Sequence, residues 1–291
     1  MSIPHLFDRR TYARRRARAE GQTSFLAGEA GQNLAERLRA VTRRFSHVLD
    51  LSSRAEIFAI LAPFADRWTR TTLAPCGAGA LLVADEEALP FPSATFDLVV
   101  SALSLHAVND LPGALLQIRH VLKPDGLFLG ALFGGGTLGE LRRAFAAGES
   151  EVAGGISPRV SPFADVRDLG GLLQRAGFAL PVADSETYTV HYRQFSTLVA
   201  DLRALGETNA MTERARTPLR RDVLAAALAH YAAHDADEAG RLTATFEIIY
   251  LTAWAPHESQ QKPLRPGSAK VRLADALGTQ EHSAGEKTGR R

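Results

Sequence analysis

The chain of 291 residues contains one cysteine, four lysines and two tryptophans. A single cysteine, Cys76, excludes an internal disulfide framework and a cysteine-rich metal site. Because no run of about 18 apolar residues occurs, the sequence predicts no membrane-spanning helix. The remaining composition is that of an ordinary globular protein, with 45% hydrophobic and 23% charged residues. A chain of this length fits one large domain or one and a half.

Positive charge is concentrated near the start of the chain, although the formal net charge is only +2. Residues 1–22 form a basic arm that carries six arginines and, within its first 18 residues, one acid, Asp8. Three interpretations stay open: a solvated helix, an arm that binds an acidic protein surface or nucleic acid, and the end of a targeting peptide. The arm precedes a domain at 23–256, and the polar tail at 257–291 is predicted to be disordered.

Strand-like and helix-like segments alternate along the domain, which predicts an α/β doubly wound sheet. The segment Phe96–Leu103 is almost continuously apolar, as in a parallel strand that is buried on both faces. A helix follows it, with Asn109 or Asp110 as its cap and Pro112 in its first turn. In such sheets, ligands bind beyond the carboxyl ends of the strands. The ends that matter here are residues 50–54, 85–87, 101–106 and 133–137.

The first strand-to-helix junction contains Asp50, Ser52, Ser53 and Arg54. Many nucleotide sites place glycines here so that the backbone approaches the ligand closely, and this chain has two serines instead. We interpret the serines mainly as a cap of the following helix. Arg54 is a candidate to contact a ligand carboxylate, because a guanidinium binds a carboxylate through two hydrogen bonds.

Two more groups lie at the same predicted edge. Asp85 and Glu86 follow a strand, where a carboxylate can accept a hydrogen bond from the exocyclic amine of a base or form a solvated turn. His106 follows the long apolar strand, together with Ser101 and Leu103. A histidine there is either a general base or a structural hydrogen-bonding group.

Other patterns support no further site. Residues 134–139 match the G-x-G-x-x-G fingerprint, but the acid required about 20 residues later is absent, so we expect a turn. No catalytic acid, base or nucleophile stands out. We expect no H-x-x-x-H pair of histidines on a helix and no ligand set that includes the cysteine, so no metal site is predicted, while a carboxylate-rich site for non-haem iron stays open.

The chain resembles the class I S-adenosylmethionine-dependent methyltransferases of the type-11 group. This resemblance is carried by Val83–Phe91, Phe96–His106, Asn109–Pro112 and Leu122–Gly126. The chain is more closely similar to bacterial relatives of the mitochondrial complex I assembly factor that is described as an arginine hydroxylase. The segments that carry this closer similarity are Ile156–Phe163, Gly206–Asn209 and His257–Gln260.

The resemblance implies a Rossmann-like sheet of seven strands, the last antiparallel, with a C-terminal helical insertion. It implies a cytoplasmic protein, or a matrix protein in a eukaryote, that acts on or assembles an iron–sulfur subunit of NADH dehydrogenase rather than nucleic acid. The implied cofactor is S-adenosylmethionine. The residues assigned to it are Asp50, Ser52, Ser53, Arg54, Asp85, Glu86, Ser101, Leu103 and His106.

Two features depart from the family pattern. The glycines of the D-x-G-x-G loop are replaced by Ser52 and Arg54, and no acid follows the second-strand candidate, Arg70–Leu73. About six residues separate that candidate from the next strand, so the second crossover helix is predicted to be shortened or missing. Three functions stay open: an S-adenosylmethionine-dependent enzyme, a non-catalytic assembly factor, and a protein arginine hydroxylase that uses another cofactor.

Overall fold

The computed structural model describes residues 5–52, 54–73, 82–261, 271 and 273–280. Its helices and strands are, in chain order, α1 (Arg9–Arg18), α2 (Phe25–Ala40), β1 (Phe45–Asp50), α3 (Ala55–Leu61), β2 (Ala65–Thr72), β3 (Leu82–Val83), β4 (Phe96–Ala102), α4 (Leu111–Val121), β5 (Leu122–Phe133), α5 (Gly139–Ala153), α6 (Val166–Arg175), β6 (Ala179–Tyr192), α7 (Phe195–Ala204), α8 (Arg221–His234), β7 (Leu242–Trp254) and α9 (Leu273–Leu277). None of the described helices is long and apolar enough to cross a membrane.

The described residues divide into two units. Those up to His257 form one compact unit, which includes α1, and those from Glu258 onward form a second. The predicted disordered tail at 257–291 falls largely outside the described residues, and α9 lies within its range.

The seven strands form one sheet in the order β3-β2-β1-β4-β5-β7-β6. β1 pairs in parallel with β2 and β4, whereas β7 runs antiparallel to β5 and β6. The predicted fold class, the number of strands and the antiparallel last strand are therefore confirmed. The helices α7 and α8 form the predicted insertion before β7. The strand order reverses between β1 and β4, which makes their carboxyl ends the expected place for a ligand.

β2 and β3 pair in parallel, and residues 73–81 join them. The predicted shortened or missing second crossover helix falls on residues 74–81, which lie outside the described residues. β2 itself begins at Ala65 rather than at the predicted Arg70, because its first half pairs with β1. Those residues are partly exposed and polar, so their hydrophobicity gave no strand signal.

Helices cover both faces of the sheet because successive residues of the central strands point to opposite sides. Leu98 and Val100 pack into one core with α2, α3, α5, α7 and α8. Val99, between them, packs into the other core with α4 and α6. All seven residues of β4 are buried, which accounts for its almost continuous apolar sequence. Asp110 caps α4, as predicted, by accepting a hydrogen bond from the backbone N–H of Gly113 at 2.8 Å.

The close contact between α5 and α8 requires a glycine at position 148, which has no side chain. A Cβ atom added at Gly148 would lie 2.5 Å from the backbone nitrogen of Ala227. Gly148→Ala should therefore push the helices apart and lower the free energy of unfolding by about 1–3 kcal/mol. Denaturant unfolding checks this result. Gly28→Ala is the matched control, since a Cβ atom on Gly28 in α2 has no neighbour within 4 Å. An equal loss of stability in both variants would contradict the prediction.

Candidate functional site

The predicted site residues meet at one edge of the sheet, which we call the switch edge (residues 50–54, 85–86 and 101–106). Most of them are buried, namely Asp50, Ser52, Arg54, Glu86, Ser101, Leu103 and His106. The Asp85 side chain is 39% exposed, and Ser53 lies outside the described residues. The sequence thus placed these residues together correctly, while their role toward a cofactor stays a prediction.

Asp50 ends β1 and is almost fully buried. Its carboxylate accepts a hydrogen bond from the backbone N–H of Ser52 at 2.7 Å and lies 3.4 Å from Arg70 Nε. Burial raises the pKa of Asp50, and the interactions with Ser52 and Arg70 oppose that rise. Asp50 therefore uses its carboxylate to hold the turn after β1.

Ser52 and Arg54 occupy this turn in ways that differ from their predicted roles. The Ser52 hydroxyl accepts a hydrogen bond from the Ala102 N–H at 2.8 Å, and α3 begins after Arg54 without a side-chain cap. The prediction that Ser52 caps the following helix is therefore wrong, because its hydroxyl bonds the turn after β1 to β4. Arg54 is buried and donates to the Leu205 carbonyl, so it does not face a ligand carboxylate. Burial lowers the pKa of Arg54 to about 9.

The end of β4 is a tight turn held by its own polar groups. The hydroxyls of Ser101 and Ser104 are 2.9 Å apart, and both residues are buried. Leu103 has a φ of 53°, a left-handed conformation that costs a residue with a side chain about 1–2 kcal/mol. Its N–H still donates to the Ala131 carbonyl on β5 at 2.7 Å, which anchors the strained residue to the sheet.

Helix α1 enters the switch edge through the side chain of Arg9. Arg9 Nη2 lies 2.8 Å from Asp85 Oδ1 and 2.5 Å from Glu86 Oε2, and Arg9 Nη1 donates to the Ala107 carbonyl at 3.0 Å. Both carboxylates that were predicted to meet the base of a ligand are thus paired with a guanidinium of the same chain.

Arg16 reaches deeper, between the ends of β1 and β4. Its Nη2 donates to the Ser52 carbonyl at 2.7 Å and its Nη1 to the Leu103 carbonyl at 2.9 Å. Arg16 Nη1 also lies 3.3 Å from Glu207 Oε1. The Arg16 side chain is only 8% exposed, so it is part of the interior of the switch edge.

Glu207 is the centre of a charged cluster beside Arg16. Its carboxylate accepts a hydrogen bond from the Tyr12 hydroxyl at 2.9 Å and lies 3.0 Å from His106 Nε2. Burial opposes the charged form of Glu207, but His106, Arg16 and Arg54 outweigh it and lower its pKa to about 2. The cluster links α1, the end of β4 and the segment after α7.

A cavity of about 380 Å³, which we call the aromatic cavity, lies beside this cluster. Its walls are mainly apolar and include Phe133, Phe145, Phe163, Phe195, Phe246, Leu141 and Val199. The His106 ring also lines it, with ring centroids 4.9 Å from Phe133 and 5.6 Å from Phe163. Within the part of the chain that the structure describes, His106 Nδ1 has no hydrogen-bond partner. The size and lining are those of a typical ligand cavity.

One wall of the aromatic cavity is the irregular segment 154–165, which contributes Phe163. Glu149 on α5 holds this segment. It accepts hydrogen bonds from the N–H and the hydroxyl of Ser157, both at 2.6 Å, and pairs with the Arg159 guanidinium. Burial disfavours the charged form of Glu149, but Ser157 and Arg159 reverse this effect and lower its pKa.

Four residues of this region were not predicted as site residues from the sequence: Arg9, Tyr12, Arg16 and Glu207. A usable signal was present, because the spacings of three and four residues place Arg9, Tyr12 and Arg16 on one face of a helix. Glu207 entered only through the resemblance of Gly206–Asn209.

His230 and His234 were also missed, although the spacing H-x-x-x-H is present in the sequence. They lie one turn apart on α8, with ring centroids 4.3 Å apart. Among the described residues, no group of three or more His, Cys, Asp or Glu side chains is arranged to hold a metal ion.

Comparisons with known proteins identify the family. Residues 46–130 match the family model of the methyltransferase domain. The mitochondrial arginine-hydroxylase NDUFAF5 of Danio rerio is 41% identical over 267 residues, which cover 86% of this chain and 81% of that protein. The malonyl-[acyl-carrier protein] O-methyltransferase of Halorhodospira halophila is 35% identical over 265 residues, which cover 86% and 88%. The chain belongs to the methyltransferase-like family of the NDUFAF5 proteins.

A solved structure supports the fold alone. The YcgJ protein of Bacillus subtilis superimposes with a TM-score of 0.53 at 13% identity, over 78% of this chain and 99% of that chain. The resemblance that the sequence segments indicate is confirmed: the similar proteins confirm the family, and the solved structure confirms the fold.

The described residues of the switch edge, which leave out Ser53 and the segment 74–81 after β2, do not fit S-adenosylmethionine. The space left between Arg16, Leu51, Thr71 and Ser104 is about 10 Å³, whereas ligand sites enclose about 300–1,000 Å³. Serine and arginine side chains stand where the family has glycines, and β2 ends in Thr71 and Thr72 without an acid. Arg9 and Arg16 of α1 already bind the carboxylates of Asp85 and Glu86 and the carbonyls of Ser52 and Leu103.

Proposed function

We propose that this chain acts on a protein partner during assembly of the respiratory NADH dehydrogenase, and that it holds a partner side chain in the aromatic cavity. Two adjoining features carry this proposal: the described part of the switch edge is occupied by side chains of α1, whereas the aromatic cavity beside it is about 380 Å³ in volume. The chain would act in the cytoplasm of a bacterium, or in the matrix of a eukaryote.

An arginine of the partner is the side chain that suits the cavity. Phe133, Phe163 and His106 offer ring faces, on which a flat guanidinium stacks favourably. His106 Nδ1 is free of partners among the described residues and supplies a polar contact. The relatives are named arginine-hydroxylases, which supports the same side chain. We propose an iron–sulfur subunit of NADH dehydrogenase as the protein that carries it.

The filled switch edge favours an assembly factor over a working S-adenosylmethionine-dependent methyltransferase. Hydroxylation of the bound arginine, which the name of the relatives suggests, is the second candidate. It would insert one oxygen atom of O₂ into a C–H bond, while two electrons from an external reductant and two protons reduce the other oxygen atom to water. Mass spectrometry of the captured partner distinguishes the candidates: an added oxygen supports hydroxylation, an added methyl group supports the methyltransferase, and an unchanged arginine supports the assembly factor.

Filling the cavity tests the proposal. Val199→Trp, on α7, should reduce the amount of assembled NADH dehydrogenase by roughly tenfold or more in a host that lacks its own copy, because the indole would occupy the place of the partner side chain. A native gel with NADH-dehydrogenase staining measures this amount. Ala200→Trp, on the exposed face of the same helix, is the control and should leave assembly unchanged.

Two results would contradict the proposal. Full assembly with Val199→Trp, in a variant with normal thermal stability, would show that the cavity has no role. Loss of assembly with Asp85→Asn, while the cavity is intact, would instead favour a cofactor at the switch edge.

A further inference from the structure

Arg16 has the geometry of a bound ligand rather than of a surface side chain. The two terminal nitrogens of one planar guanidinium donate to carbonyls that follow different strands, Ser52 after β1 at 2.7 Å and Leu103 after β4 at 2.9 Å. Glu207 supplies a carboxylate at 3.3 Å. The single side chain of Arg16 therefore contacts three places: the turn after β1, the turn after β4 and the segment after α7. A lysine ammonium is a point donor, and it would not span these acceptors in the same way.

Other contacts, at the start and in the middle of α1, fix the position of the helix. The contacts of Arg16 therefore follow from how α1 packs. At its start, Asp8 caps the helix, and the Asp8 N–H donates to the Ala210 carbonyl at 2.8 Å. Phe7 N–H donates to the Asn109 side chain at 2.8 Å. One turn before Arg16, the buried Tyr12 hydroxyl bonds to Glu207. The helix thus delivers Arg16 to one defined place.

That place is where this fold positions a ligand, between the carboxyl ends of β1 and β4. We propose that the cleft formed by the Ser52 and Leu103 carbonyls and Glu207 is a guanidinium-binding site, and that Arg16 is its resident ligand in place of S-adenosylmethionine. The inference concerns the switch edge and not the aromatic cavity, so it stands whether or not the chain acts on a partner.

Chemical rescue tests this site in the full-length chain. Arg16→Ala removes the atoms of an ethylguanidinium ion and leaves its three acceptors behind. The melting temperature should fall by about 5–10 °C. Added ethylguanidinium, below denaturing concentration, should restore at least about a third of that loss with saturation, as expected for a ligand that binds only the folded state.

Two controls distinguish binding at the Arg16 site from a general effect of the ion on protein stability. Ethylammonium has a similar charge without the planar fork and should not rescue Arg16→Ala. In the matched variant Arg44→Ala, which removes an exposed guanidinium that pairs with Asp66, ethylguanidinium should not raise the melting temperature. Equal rescue of both variants, or equal rescue by ethylammonium, would overturn the proposal.

A calorimetric titration of the wild-type chain with S-adenosylmethionine provides a test that needs no variant. We expect no binding up to millimolar concentration, because Arg16 and Arg9 hold the groups that the cofactor would use. Saturable binding to the wild type would show that the cofactor site works while Arg16 is in place, and it would overturn the role of Arg16 as a resident ligand. Because both readouts measure binding, they are independent of the assembly assay.

Discussion

Glu207→Gln should lower the free energy of unfolding by about 3–5 kcal/mol, because it removes one partner from a buried charged cluster. The amide keeps the size of the side chain, so the loss comes from charge rather than from a cavity. Arg16 and His106 would lose their carboxylate, and the Tyr12 hydroxyl would lose a charged acceptor. Denaturant unfolding measures the change. Glu213→Gln, at an exposed position after the cluster, should change stability by no more than about 0.5 kcal/mol.

The same variant should alter the pH dependence of stability. The pKa of Glu207 is about 2 in the folded chain, below its ordinary value of 4.5. Its contribution is therefore present above pH 4.5 and is lost as the pH falls from 4.5 toward 2. The difference in unfolding free energy between wild type and Glu207→Gln should shrink by about 3 kcal/mol over that interval. A difference that stays constant with pH would contradict the charged cluster.

Release of α1 gives a second, structural measurement of the Glu207 variant. The helix carries six arginines, and Arg10, Arg14 and Arg18 are exposed. If Glu207 anchors α1 through Tyr12 and Arg16, trypsin should cut the helix faster in Glu207→Gln under conditions in which the sheet remains folded. If trypsin cleaves Glu207→Gln no faster than the wild type and its stability is normal, residues other than Glu207 hold α1 in place.

The sheet was predictable because its signals are local. The central strand β4 is buried on both faces and is almost continuously apolar, and Asp110 with Pro112 marks the start of α4. β2 was misplaced because an outer strand with partly exposed residues lacks that signal. The predicted loss of the crossover helix after β2 stays a prediction, because residues 74–81 lie outside the described residues.

The site was predictable only in part, because its partners are distant in the sequence. The carboxyl ends of β1 and β4 necessarily meet, so Asp50, Ser52 and Ser101 could be grouped. The contacts of Arg9 with Asp85 and of Arg16 with Glu207 join residues that are 76 and 191 positions apart. Composition showed only a basic arm, and a solvated helix would have the same composition. Which acid meets which arginine depends on how α1 packs, and no local pattern specifies this.

Glu149→Ala should have the largest effect on function that we expect outside the switch edge. Glu149 is buried and holds Ser157 and Arg159, so its removal frees the segment 154–165 that forms one wall of the aromatic cavity. The free energy of unfolding should fall by about 2–3 kcal/mol. Assembly of NADH dehydrogenase should fall by roughly tenfold or more, because a mobile wall no longer positions a partner side chain.

Hydrogen exchange distinguishes this local effect from general loss of stability. In Glu149→Ala, amides of 154–165 should exchange faster, whereas β4 and β5 should keep their protection. The segment would keep other ties, since Asn209 Nδ2 donates to the Pro158 carbonyl at 2.7 Å and Arg142 Nη2 donates to the Ser161 carbonyl at 3.1 Å, so the wall should loosen without unfolding the sheet. Glu151→Ala, at an exposed position on the same helix, is the matched control. Faster exchange at 154–165 with normal assembly would show that this wall is structural, and the partner would then have to bind against the opposite side of the cavity, formed by α7 and His106.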